Sequence, residues 1–174
     1  MTLDTQPLPV TIEKGALRIG EIRITFQRTL RIPDDGRTYP LPPGLGTFPL
    51  RTIDSLGDRA PAEWREKGGV ILPMYQREAM WICFSGPHWK PHAVKIAAGK
   101  VCAITGKPWS EELHGRASGG YRFASADQDY VVTPPQPWLD GIAVRKGLIR
   151  QFVAMPLGMG YTVEGQVTGE EKHG

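Results

Sequence analysis

Hydrophobic and polar residues alternate strictly over residues 21–28. The apolar positions are Ile22, Ile24 and Phe26, and the positions between them are Arg23, Thr25 and Gln27. Successive side chains of a β-strand point to opposite faces of the sheet, so a period of two indicates one buried face and one face toward solvent. The pattern therefore predicts a half-buried antiparallel strand.

Residues 77–85 show a second strand pattern, in which both faces are apolar. Met80, Ile82 and Phe84 would lie on one face, and Trp81 and Cys83 on the other. A strand whose two faces both need cover belongs in the interior of a sheet. We therefore expect this segment to be the central strand of the fold.

Short glycine turns predict two β-hairpins. Apolar runs 142–144 and 148–154 flank a turn that contains Gly147, and apolar runs 93–98 and 100–105 are separated at Gly99. Glycine adopts the positive φ angles that tight hairpin turns require. Residues 130–133 predict another strand, which stops at Pro134 because proline cannot donate to a β-ladder. Residues 161–168 predict the last strand.

The clearest helix pattern lies at residues 58–67. Asp58 suits the cap, Pro61 suits the first turn, Gly68 suits the end, and Trp64 is the predicted anchor. Elsewhere, 21 glycines and 16 prolines predict many turns. We therefore predict one mainly β domain over residues 1–174: an antiparallel β-sandwich or irregular barrel with one short helix and long Pro/Gly-rich loops.

Several segments share a pattern with other proteins. They are QPWLDG at 136–141, IRQFVAMPLG at 149–158, YTVEGQVTG at 161–169, FQRTLRIPDDG at 26–36 and YPLPPGLGTFPL at 39–50. Together they resemble an uncharacterised family of bacterial and fungal proteins. The resemblance implies no activity, cofactor or functional residue. It implies a further apolar strand after Gly174, so that the domain would be truncated within its last structural element.

The charge balance of the chain limits the classes of partner that we expect it to bind. The chain has 21 basic and 18 acidic residues and a net charge of +3, with no run of consecutive basic residues longer than Arg145-Lys146. This balance makes a nucleic-acid partner an unfavoured alternative, for which Arg23, Arg28 and Arg31 would be the candidates. No apolar stretch is long enough to span a membrane, and residues 1–10 do not resemble a signal peptide. We therefore expect a cytoplasmic protein that does not contact the membrane.

A metal or cofactor site is not expected. Cys83, His88, His92 and Cys102 form a two-cysteine, two-histidine set, but the closely spaced cysteine pair of structural zinc sites is missing. The glycines at 158 and 160 precede a predicted strand, which is the wrong context for a dinucleotide loop. A small hydrolase-like enzyme with His88 or His92 as a base remains an alternative, although no sequence motif identifies its nucleophile.

Loop-borne aromatic residues give the positive indication of function. Trp89, Trp109 and Trp138 stand beside prolines or in loops, and His88 and His92 lie near the first of them. Exposed aromatic side chains on a rigid β scaffold are common in recognition of ligands and partners. These five residues are the predicted binding site of a non-enzymatic interaction module. Its occupant would be a protein partner or a small ligand, and a homo-oligomer is a further alternative.

Overall fold

An open antiparallel sheet organises the protein. A computed structural model describes residues 8–33, 35–115, 128–145 and 147–171, and it shows a mainly β fold consistent with an irregular sandwich, which confirms the predicted fold class. The strands are β1 (Val10–Glu13), β2 (Ala16–Ile19), β3 (Ile22–Thr29), β4 (Gly44–Thr47), β5 (Arg51–Thr52), β6 (Val70–Ile71), β7 (Ala79–Ser85), β8 (His92–Val94), β9 (Ala97–Ala98), β10 (Val101–Cys102), β11 (Val131–Thr133), β12 (Trp138–Leu139), β13 (Gly141–Arg145) and β14 (Leu148–Val153). The helices are a 3₁₀ helix (Asp54–Arg59), α1 (Ala62–Lys67) and α2 (Val163–Thr168).

The principal sheet has the strand order β1-β2-β3-β7-β14-β13, with β4 added to β3 and β12 added to β7. Three two-stranded sheets, β5–β6, β8–β11 and β9–β10, complete the described fold. Strand β7 pairs with β3 along its whole length and with β14 and β12 on its other edge. The prediction of a central strand at this position is therefore confirmed.

Alternation in β3 produces the two faces of the sheet. Ile22 and Ile24 are buried, as predicted from the period of two. Thr25, which was expected to face solvent, is only 5% exposed. It lies opposite the half-buried Cys83 in the middle of the sheet, and its hydroxyl accepts a hydrogen bond from the Gln27 side-chain amide at 3.2 Å.

The hydrophobic core lies on the face of β3 that carries Ile24. Its buried residues are Leu17, Ile22, Ile24, Leu50, Ile82, Phe84, Val101, Ala103, Val131, Ile142 and Phe152. Burial of these side chains is the main favourable term in folding, worth roughly 25 cal/mol per Å² of apolar surface removed from water. The opposite face of the sheet carries the exposed Arg23 and the buried Thr25.

Both predicted glycine hairpins are confirmed. Strands β13 and β14 pair around Gly147, and β9 and β10 pair around Gly99. The φ angles of these glycines are 78° and 57°, in the left-handed region that favours glycine. The predicted strand before Pro134 is also present, as β11.

The last predicted strand is wrong, because residues 163–168 form helix α2. Thr162 caps this helix: its Oγ1 accepts a hydrogen bond from the Gly165 N–H at 3.0 Å. Gly169 ends it with a left-handed φ of 77°. The alternation Tyr161, Val163 and Val167 that suggested a strand also places the two valines on one helical face, four residues apart.

A carboxylate outside the helix completes the cap. Glu171 accepts hydrogen bonds from the Thr162 N–H at 3.1 Å, the Thr162 hydroxyl at 2.7 Å and the Gly160 N–H at 3.1 Å. The hydrogen bond from the Thr162 hydroxyl, followed by those from the backbone N–H groups, lowers the pKa of Glu171 from 4.5 to about 2. The ionised carboxylate therefore stabilises the folded form above pH 4.5, and this contribution is lost as the pH falls through about 2.

We predict that Glu171→Gln loosens the start of α2. Amide hydrogen exchange at pH 6 should show several-fold lower protection at Thr162 and Gly165 in the variant, because glutamine lacks the charge that strengthens the bonds. The difference between the two proteins should shrink when protection is measured at progressively lower pH, toward 2. Glu66→Gln, in the exposed α1, is the matched control. Equal protection in wild type and Glu171→Gln at pH 6 would contradict the assigned cap.

The predicted first helix is present in shorter form. Residues 62–67 are α-helical and end at Gly68, while Asp54–Arg59 forms a 3₁₀ helix that is interrupted at Gly57. Trp64 was the expected anchor, but it is 47% exposed and α1 has no buried residue. One helix of six residues between a proline and a glycine pair lies on the surface instead of inserting a side chain into the core.

Candidate functional site

Two rows of side chains on one face of the principal sheet form the candidate site. Arg18 of β2, Arg23 of β3 and Ser85 of β7 lie directly opposite one another in register. The next row on the same face contains Thr25, Cys83 and Trp138. Because residues two apart on a strand point to the same side, both rows project from the face opposite the core. We call these six residues the outer face.

The first row lines a shallow concavity of about 330 Å³ that is open to solvent. Its lining residues are Arg18, Glu21, Arg23, Ser85, Gly86 and Pro87. Arg18 and Arg23 occupy directly opposed positions, where two like charges destabilise a sheet. The concavity is therefore a cationic surface whose two arginines are held close together by strand register.

The turn that carries Trp89 stands at the edge of this concavity. The Lys90 N–H donates to the Pro87 carbonyl oxygen at 3.2 Å, and Lys90 Nζ lies 3.0 Å from Glu21 Oε2. The hydrogen bond closes the turn and the ion pair ties its Lys90 end to Glu21, while Trp89 is 85% exposed. His88, in the same turn, is also exposed. The turn therefore presents a large aromatic side chain to solvent at the edge of the concavity.

Trp138 belongs to the same face. It lies opposite Cys83 on β12 and is 52% exposed. Adjacent strands are about 4.8 Å apart and alternate residues about 7 Å apart along a strand, so Trp138 lies on the order of 10 Å from Arg23. The outer face thus combines the exposed Trp138 with a pair of arginines, and the turn that carries the exposed Trp89 begins at its edge.

Trp109, another predicted binding residue, makes an internal contact. Lys95 Nζ lies 5.0 Å from the centroid of its ring, within the range of a cation–π interaction. The same ammonium group donates to Asp129 Oδ2 at 2.6 Å and to the Glu112 carbonyl oxygen at 2.6 Å. Two hydrogen bonds and an aromatic ring therefore engage the Lys95 ammonium group inside the protein. We call Lys95, Trp109, His114 and Asp129 the lysine clamp.

Asp129 is the centre of the lysine clamp. Its Oδ1 accepts from the His114 N–H at 2.9 Å and its Oδ2 lies 2.8 Å from His114 Nδ1. Burial acts to raise the pKa of Asp129, but the hydrogen bonds from Lys95 and from the backbone and ring of His114 outweigh it, and the pKa is held well below its usual range. The carboxylate is ionised at neutral pH, so Nδ1 of His114 carries the proton it donates.

His92, one of the two candidate bases of the enzyme alternative, is the first residue of β8. Its position in the β8–β11 ladder is opposite Thr133, which is fully buried. Within the described residues, His92 Nδ1 and Thr133 Oγ1 are both buried without a hydrogen-bond partner. The hydrolase-like alternative remains a prediction that these contacts do not test.

The arginines proposed for nucleic acid differ in their availability. Arg28 Nε lies 2.9 Å from Glu78 Oε1, and its guanidinium stands 4.4 Å over the Phe48 ring centroid. Arg28 is therefore held in internal contacts, in contrast to Arg23. Across residues 8–33, 35–115, 128–145 and 147–171, no group of three or more histidine, cysteine, aspartate or glutamate side chains could hold a metal ion.

The Arg18–Arg23 pair is the feature that the sequence interpretation missed. A signal for it exists: Gly20 and Glu21 form a two-residue turn between β2 and β3, in which Ile19 pairs with Ile22. A two-residue hairpin loop fixes the register of its strands, so the partner of Arg23 could have been read from the sequence. The lysine clamp had no such signal, because its members come from separated segments.

Among the described residues, no helix combines the length and the apolar character that are needed to cross a membrane. Cys83 and Cys102 are free thiols.

Comparison of the chain with protein-family models, with curated proteins and with solved structures finds no match.

Proposed function

We propose that the protein is a non-enzymatic binding module, in the cytoplasm, that holds a protein partner on its outer face. One observation carries the proposal: Trp89 is 85% exposed in a turn that a backbone hydrogen bond closes and that Lys90 ties to Glu21 at the edge of the arginine-lined concavity. Leaving a large aromatic side chain in water gives up burial free energy, and a fixed turn removes the entropy cost of ordering it during binding.

The neighbouring groups support the same function. Trp138 supplies a second exposed aromatic surface on the same face, and tryptophan and arginine are the residue types most enriched at the energetic centres of protein interfaces. The concavity is shallow and open, which suits a segment lying across the surface better than a small molecule that needs enclosure. The free thiols of Cys83 and Cys102 fit a reducing compartment.

Selection from a random peptide display library tests this proposal. Peptides enriched on the wild-type protein should bind Trp89→Ala with at least about tenfold weaker affinity, because interface tryptophans commonly carry a large share of the binding free energy. Trp64→Ala, which removes a half-exposed tryptophan from α1, is the matched control and should bind as the wild type does. Failure to enrich any peptide, or equal affinity of all three proteins, would contradict the proposal.

A further inference from the structure

We infer that the outer face binds a carboxylate side chain from an acidic segment of the partner, received between Arg18 and Arg23; this inference rests on the proposed binding function. The two arginines face each other across neighbouring strands. Arg18 Nε is 3.7 Å from Glu13 Oε2, too far for a hydrogen bond, and it is buried without a hydrogen-bond partner among the described residues. No described acidic side chain forms an ion pair with Arg23.

An anion between these guanidinium groups would remove an unfavourable arrangement. Like charges placed directly opposite each other on a sheet repel, and a bound carboxylate replaces that repulsion with two attractive contacts. The planar guanidinium fork matches the two oxygens of a carboxylate. Ser85 continues the same row and supplies a hydroxyl donor beside Arg23. The row therefore offers three neighbouring donors to one acidic group.

The surroundings favour one acidic side chain over an extended polyanion. Glu13 and Glu21 flank the arginine pair, and a nucleic-acid backbone laid across this face would meet their carboxylates. Lys90 lies 3.0 Å from Glu21 and is thereby held in an ion pair at the rim. Arg28, the next arginine on β3, is paired with Glu78. A phosphate track needs several unoccupied basic groups in a row, which this part of the chain lacks.

Trp89 and Trp138 define what should flank the acid in the partner. Both expose an apolar ring: Trp138 lies on the outer face two strands from Arg23, and Trp89 lies in the turn at the edge of the concavity. A peptide in extended conformation alternates its side chains between two faces, so residues two apart share a face and lie about 7 Å apart. A segment that places a large apolar residue two or four positions from its acid would therefore present both to the outer face. The inferred partner segment is therefore acidic and apolar.

Two synthetic ten-residue peptides separate these contributions. One carries a single glutamate with a leucine two positions away on each side and serine elsewhere, and the other has glutamine in place of that glutamate. Binding to the ¹⁵N-labelled protein is followed by NMR, with the Arg Nε–H resonances as direct reporters. We expect the glutamate peptide to shift the resonances of Arg18 and Arg23, and to bind at least tenfold more tightly than the glutamine peptide. Affinity should fall as salt is raised from 50 to 500 mM, because exposed charge pairs are screened.

Variants test whether the arginine pair is responsible for binding of the glutamate peptide. Arg23→Gln should weaken the glutamate peptide at least tenfold, whereas Arg65→Gln, at an exposed ion pair of α1, should leave its affinity unchanged. Arg23 is exposed, so its replacement should not lower the melting temperature. The double variant Arg18→Gln/Arg23→Gln should melt at the same or a higher temperature than the wild type, since it removes a like-charge pair.

The outcomes distinguish this inference from the proposed function. If both peptides bind equally, Arg23→Gln has no effect and Trp89→Ala abolishes binding, the carboxylate assignment is overturned while the binding module stands. If inorganic phosphate shifts the two arginine resonances and the glutamate peptide does not, a phosphate group is the ligand and the acidic segment is excluded. If neither peptide binds and the display library yields none, the inference and the proposed function both fail.

Discussion

Replacement of Asp129 with asparagine will lower the free energy of unfolding by about 3 kcal/mol, the loss typical when one member of a buried ion pair is removed. The side chains of Lys95 and Asp129 are only 7% and 9% exposed, and 2.6 Å separates their charged atoms. In the variant, the ammonium group stays buried without an anionic partner, and only a neutral amide, the Glu112 carbonyl oxygen and the Trp109 ring are left to compensate its charge. For a chain of 174 residues, this loss corresponds to a melting temperature roughly 10 °C lower.

Thermal unfolding at pH 7, followed by circular dichroism, measures this change. Asp58→Asn is the control, because Asp58 forms an exposed ion pair with Arg65 and its loss should cost less than about 1 kcal/mol. The double variant Lys95→Met/Asp129→Asn should recover part of the stability, since no buried charge is then left unpaired. Equal melting temperatures for Asp129→Asn and Asp58→Asn would refute the role assigned to the lysine clamp.

The pH dependence of the free energy of unfolding follows from the carboxyl group of Asp129. The folded pKa of Asp129 is depressed below its ordinary value of 3.8, so its carboxylate stabilises the folded form above that pH. This contribution is lost as the pH falls below 3.8, when protons bind the unfolded chain more readily than the folded one. The wild-type protein should therefore lose stability in this acidic window faster than Asp129→Asn does.

Replacement of Gly141 with alanine will destabilise the β13–β14 hairpin by about 3 kcal/mol, at the upper end of the usual cost of overpacking. A Cβ on Gly141 would overlap the carbonyl oxygen of Arg150, and it would approach the Cα of Gln151 to 2.9 Å. Both atoms belong to the backbone of β14, so no side-chain rotation can relieve the overlap. The hairpin must shift, and the buried residue Ile142 must move with it.

Urea unfolding followed by tryptophan fluorescence gives the free energy of unfolding of this variant. Gly86→Ala is the control, because its Cβ would meet only the Glu21 carbonyl oxygen, at an ordinary contact distance of 3.7 Å. A Gly141→Ala protein that accumulates only in aggregates agrees with the prediction, provided that Gly86→Ala is soluble. An unfolding midpoint for Gly141→Ala within error of the wild type would show that β13 and β14 are further apart than described.

The predictions that succeeded all rest on patterns within one segment. Alternation over residues 21–28 identified β3, apolar residues on both faces identified β7, and Gly99 and Gly147 marked two hairpins. Each of these signals is produced by neighbours in the chain, because strand periodicity and glycine φ angles are local properties. They were sufficient for the fold class and for the middle of the principal sheet.

The error at α2 shows where local patterns become ambiguous. Val163 and Val167 fit a strand face and a helix face equally well over so short a segment. The choice depended on Thr162, whose side chain caps the helix, and on Glu171, whose carboxylate binds the cap from nine residues away. Sequence periodicity contains no information about such a contact, although threonine is one of the residues favoured at the N-cap of a helix.

The candidate site likewise contains some features that the sequence predicted and others that depend on contacts between distant segments. Trp89 and Trp138 were predicted as loop-borne binding residues, and both are exposed, Trp138 in β12 on the outer face and Trp89 in a turn at the edge of the concavity, whereas Trp109 is engaged by Lys95. A neighbouring proline indicates that a tryptophan lies in a loop. It does not indicate whether a cation from another strand will contact the tryptophan ring. Lys95 and Asp129 are 34 residues apart, so their contact depends on how separate segments come together.

By itself, the amino-acid sequence determined that this chain forms β-strands, where its tight turns lie and which positions alternate between core and surface. Those features depend on steric and solvation preferences of consecutive residues. Only the tertiary structure decided that two arginines share one row of a sheet face that also carries an exposed tryptophan, and that a buried lysine and a buried aspartate are joined with an exposed histidine in one cluster. The physical reason is that such contacts are made across strands, where register and packing of distant segments set the distances between charges.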